Sequence, residues 1–121
     1  MAEKINWNYV VQALDGPSLS AAGDVEVDGY DKLKVTLADN ATQQVDLVPS
    51  AAMLLLIINP ASPSADLSYE VNGNDVMLDG PQVFIGTGAV SLIGGATNLT
   101  FTNKTGADAV IEILIGRDTT P

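Results

Sequence analysis

The sequence predicts an all-β chain: an antiparallel β-sandwich, jelly-roll-like or immunoglobulin-like, of about eight or nine strands. Three observations predict it. Apolar and polar residues alternate in short runs, as a half-buried strand requires. Eleven glycines and six prolines are spread so that no segment of helical length keeps apolar residues at i, i+3, i+4 and i+7. Turn residues recur every 8–12 residues or so, the spacing of a sandwich or barrel.

In chain order, Ile5, Trp7 and Tyr9 alternate with Asn6 and Asn8 and read as a first strand with one polar face. The best helical candidate, Tyr9 to Leu14, is short and is stopped by Asp15-Gly16-Pro17. Tyr30 to Ala38 places Leu33, Val35 and Leu37 on one face and Lys32, Lys34 and Thr36 on the other. Val45 and Leu47 repeat the alternation before Pro49. The run Ala51 to Ile58 does not alternate, which predicts a strand covered on both faces. Leu67, Tyr69 and Val71 lead into Asn72-Gly73 and then Asn74 to Leu78. Asn-Gly favours a type I′ hairpin turn, because both residues tolerate positive φ. Gln82 to Ile85, Ala89 to Ile93, Asn98 to Asn103 and Ala109 to Ile115 complete the expected strands. In the last, Ile111, Ile113 and Ile115 should face the core, leaving Val110 and Leu114 on the opposite face, where something else must cover them.

The length of 121 residues fits a single β-sandwich domain spanning 1–121, with no repeat and no linker. There is no cysteine, so neither a disulfide framework nor a thiolate metal site is expected. Fifteen acidic residues against five basic ones give a net charge of −10. Lys4, Lys32, Lys34, Lys104 and Arg117 are too few and too scattered to neutralise a phosphate backbone, and an anionic bilayer would repel the chain. Nucleic acid and membrane are therefore not expected partners. The polar start Met1-Ala-Glu-Lys lacks the apolar core of a signal peptide, so the expected location is the cytoplasm, or a virion if the chain is phage-encoded. Three N-x-[ST] sequons, at Asn40, Asn98 and Asn103, follow from composition and carry no weight without a secretory route.

Catalysis is not expected. Without histidine or cysteine the commonest general base and the commonest triads are missing. A carboxylate pair would need a cleft with aromatic walls, which six aromatic residues hardly build. No cofactor is implied. Asp24-Val-Glu-Val-Asp28-Gly29 resembles the opening of an EF-hand loop, but Val35 stands where the bidentate glutamate belongs. Asp75 or Asp79 near Asn72 and Asn74 is a looser carboxylate cluster, read as a solvated turn. Trp7 and Tyr9, on one strand face, form a candidate ligand or sugar platform.

Self-association is the strongest expectation. The chain is 46% hydrophobic, and surplus apolar strand surface is relieved by a closed homo-oligomer. Val110 and Leu114 are candidate interface residues. So are Ala89 and Val90, within the small-residue segment Gly86 to Ala96.

In its polar start, its pervasive strand pattern, its Gly-Ala-rich middle and its ending Leu99-Thr-Phe-Thr-Asn-Lys-Thr-Gly-Ala-Asp-Ala-Val-Ile-Glu-Ile-Leu-Ile-Gly, the sequence resembles small structural proteins of tailed bacteriophages. These are head decoration or tail-associated β-domains. The resemblance implies a non-catalytic virion component that forms a homo-oligomer, with a trimer favoured, and binds other virion proteins. The alternative is a small carbohydrate- or ligand-binding sandwich.

Overall fold

The structure, a computed structural model, describes residues 3–47, 53–93 and 98–118. Strands β1 (Glu3–Gln12) and β2 (Ser18–Val27) form a two-stranded ribbon. Then follow β3 (Gly29–Leu37), β4 (Thr42–Asp46), β5 (Met53–Pro60), β6 (Leu67–Val71), β7 (Asn74–Met77) and β8 (Gln82–Ile85). A short helix α1 (Thr87–Val90) runs into a 3-10 turn over Ser91–Ile93, before β9 (Asn98–Asn103) and β10 (Ala109–Arg117). Ala51 and Ala52, the start of the expected apolar strand, and Gly94 to Ala96 lie outside the described residues.

Two four-stranded antiparallel sheets, β3-β10-β5-β8 and β4-β9-β6-β7, enclose one core. The pairings are nested: β3 with β10, β4 with β9, β5 with β8, and β6 with β7. The chain therefore behaves as one long hairpin, which is rolled so that β10 also meets β5 and β9 also meets β6.

Alternation sets what is buried. Val35 and Leu37 of β3 point inward, as do Ile111, Ile113 and Ile115 of β10, against Tyr69, Leu99 and Phe101 from the facing sheet. Tyr69 and Phe101 lie with ring centroids 5.7 Å apart. The Asn-Gly turn is as the sequence predicts, with φ of 52° at Asn72 and 79° at Gly73. Burial on both faces of β5 is also met: Leu56 and Ile58 belong to the core, while Leu55, on the opposite face, is equally inaccessible. Leu55 is roofed by the base of the ribbon, where Ile5 and Val27 come down over Gly116. A Cβ at Gly116 would stand 2.9 Å from Ile5 Cδ1 and 3.0 Å from Val27 Cγ1, so this close approach requires glycine.

The expected strand Ala89 to Ile93 is instead helical. Gly86, at φ 91°, redirects the chain, and the Val90 amide donates to the Gly86 carbonyl at 3.0 Å. Ser91 Oγ donates back to the Gly88 carbonyl at 2.6 Å. Val90 and Ile93, three apart, both reach the core, which is helical spacing and not strand spacing. The Asn72 side chain donates to the Ile93 carbonyl at 2.7 Å and ties this turn to the β6–β7 hairpin. Among the described residues no helix is long and apolar enough to cross a membrane.

Candidate functional site: the β1–β2 arm and its groove

Beyond its base the ribbon leaves the sandwich as an arm. Its register is unbroken from Glu3↔Val27 to Gln12↔Ser18. Because strand side chains alternate, one face carries Ile5, Trp7, Tyr9 and Val11 of β1 opposite Val25, Gly23, Ala21 and Leu19 of β2. From Ile5 to Val11 that face is uncharged, and Glu3, of the same parity, stands at its base opposite Val27. The other carries Lys4, Asn6, Asn8, Asp24 and Glu26.

Trp7 and Tyr9 share the apolar face as the sequence predicts, stacked with centroids 6.1 Å apart and planes 11° from parallel. Trp7 lies across the backbone of Gly23, where a Cβ would stand 2.7 Å from the indole ring. An aromatic ring over a cross-strand glycine protects both the ring and the bare backbone. The indole Nε1 is buried there without an acceptor among the described residues. Tyr9 keeps 42% of its surface exposed.

Along β1 the arm borders a groove of about 830 Å³, walled on the other side by Ile57, Pro81, Val83, Ile85 and Ala89. Asn6 and Asn8 line it together with Trp7, Tyr9 and Val11. Residues of both faces border the cavity, so it runs along the edge of β1 that pairs with no other strand among the described residues. The far wall is the outer face of the first sheet, where Val83 is 52% exposed. Among the described residues, five of the nine exposed large apolar side chains (Tyr9, Val10, Val11, Leu14 and Leu19) belong to the outer half of the arm. Leu14 at its tip is 94% exposed.

The other expected interface residues separate. Val110 and Leu114 lie half-buried on the outer face of the first sheet, where Lys32 and Glu112 make an exposed ion pair at 3.2 Å. Ala89 is half-buried beside the groove. Val90 does not belong with them: the helical turn sends it into the core, at 7% exposure. Asp24 to Gly29 form the end of β2 and the start of β3. Among the described residues no three acidic side chains gather as a metal cage.

Sequence reasoning missed β2 and the buried role of Asn103. Asn103 Nδ2 is held by the carbonyls of Leu37, Ala38 and Ala107 at 3.1, 3.2 and 2.7 Å. Its Oδ1 accepts from the Thr105 amide and hydroxyl at 3.0 and 2.7 Å. The side chain thus staples the β3–β4 turn to the β9–β10 turn, and its Asn-x-Thr sequon is the footprint of a turn motif. Tyr69 is also tied down, donating its hydroxyl to Gln82 Oε1. Burial raises its pKa above the ordinary 10.0. Compared with known proteins, the chain matches no family model and no curated protein.

Proposed function

We propose that this protein is a non-catalytic structural module that self-associates into a closed homo-oligomer, as a component of a phage-type virion, a decoration or tail-associated protein. The observation that carries the reading is the arm: a ten-residue pair of strands whose apolar face is uncharged from Ile5 to Val11 and whose outer half is exposed. An isolated two-stranded ribbon is marginal in water and needs a third strand or a packed face. An assembly supplies that cover, and the acidic surface elsewhere keeps the particle soluble and disfavours wrong contacts. Binding of other virion proteins belongs to the same reading.

The nested strand order supports the jelly-roll form of sandwich over the immunoglobulin form. Eight strands pairing first with last, inward to the central hairpin, is the pattern of two interleaved Greek keys. The fold leaves function open, and the arm is what supports assembly.

Light scattering at micromolar concentration is expected to return a multiple of the 12.5 kDa chain mass; a monomer overturns the reading. Mass spectrometry of purified phage particles from the source strain is expected to find the chain, and its absence there overturns the virion assignment.

The Trp7–Tyr9 stack beside the groove favours one second reading, a small ligand- or carbohydrate-binding module. Titration with oligosaccharides would then shift the fluorescence of the single tryptophan in a saturable way. An unchanged spectrum removes this alternative.

A further inference from the structure

We infer that the free edge of β1 is the self-association surface, and that it pairs antiparallel with β1 of a second copy about a two-fold axis close to Asn8. The inference rests on the self-association reading and names its contact. Exposed strand edges are normally guarded by charge, proline, a bulge or shortness, because an unguarded edge recruits another strand. Among the described edges, β3 carries Asp31, Lys32 and Lys34. β4 has five residues and ends in Asp46, and β7 has four and includes Asp75. β8 is uncharged but only four residues long. β2 carries Asp24 and Glu26.

β1 is guarded only at its base, where Glu3 and Lys4 lie. It is ten residues long, its register with β2 has no bulge, and from Ile5 through Gln12 it contains neither charge nor proline. In a chain of net charge −10, such a neutral stretch is where two copies approach with the least repulsion. The groove beside it is open to an added strand and lined with apolar side chains.

The edge is also self-complementary. With the axis at Asn8, Trp7 stands opposite Tyr9 of the second copy, which extends the aromatic stack across the junction. Ile5 stands opposite the second copy's Val11, and Asn6 opposite its Val10. The charged residues Glu3 and Lys4 meet only Ala13 and Gln12 of the second copy, so no like charges oppose. The product is a four-stranded sheet, β2-β1-β1-β2, with one continuous apolar face. Pairing of this kind is isologous and closes as a dimer. A trimer needs a different contact.

Absence of native cysteine makes the test direct. Facing antiparallel residues have Cα atoms about 4.5–5.5 Å apart, inside the range a disulfide spans. In the full chain under mild oxidation, Asn8→Cys is expected to form a covalent dimer nearly quantitatively. Ser20→Cys on β2 and Gln44→Cys on the β4 edge are expected to stay largely uncrosslinked. Asn6→Cys and Val10→Cys should crosslink efficiently only when mixed, which fixes the register. Circular dichroism confirms that each variant is folded, and wild-type mass is measured alongside. If wild type is oligomeric but Asn8→Cys crosslinks no better than the controls, the β1 pairing is wrong and the self-association reading stands. A monomeric wild type overturns both.

Discussion

Asn103 is the residue whose loss should cost most for its size. It is fully buried, and its amide serves three carbonyls of two turns. Removing it leaves buried acceptors unsatisfied, at about 1–3 kcal/mol for such a group. Asn103→Ala is therefore expected to lower unfolding free energy by about 3 kcal/mol in urea titration. Tyr69 gives a pH signature. Its pKa is raised by burial above 10.0, so the unfolded chain loses this proton before the native one does. The contribution is intact below the unfolded value and is lost as pH climbs from there through the raised native value. Tyr69→Phe should flatten that alkaline decline, and an equal slope in both proteins would contradict the assignment. Much of this scale was illegible beforehand. The alternation of Leu67, Tyr69 and Val71 announces a buried tyrosine, but Asn103 looks like any turn asparagine until the β3–β4 turn folds beside it.

At the scale of elements, local pattern was a good guide wherever one face meets water. β3, β6, β7 and β10 fall where alternation puts them, and Asn72-Gly73 makes its turn with both residues at positive φ. Ser18 to Gly23 hid its strand because small residues have weak strand preference; pairing with β1 supplies the order. Ala89 to Ile93 misled because a short apolar run fits a strand or a helical turn equally until its packing is known. The arm's junction is the element most sensitive to a single atom. Gly116→Ala intrudes on Ile5 and Val27, and overpacking of this kind costs about 1–3 kcal/mol. Thermal unfolding should show the loss. Gly23→Ala should instead displace the Trp7 ring and red-shift its emission, with little loss of sandwich stability. A change in overall stability as large as that of Gly116→Ala would mean that the arm and sandwich unfold as one unit.

For the whole molecule, composition and charge pointed to excess apolar surface but not to its place. Val110 and Leu114, chosen from strand parity, do lie on an outer face, yet the larger exposed surface is the arm, whose second strand the sequence concealed. Copies carrying −10 each repel at long range, and salt screens that repulsion within about 10 Å at 0.1 M. The neutral stretch of β1 has no ion pair for salt to weaken. Self-association should therefore tighten as ionic strength rises, the reverse of an interface built on salt bridges. Sedimentation equilibrium of the wild-type chain at micromolar concentration, in low and in high salt, tests this most directly. The account predicts a defined oligomer in both, with the tighter association in high salt. A monomer in both would contradict it.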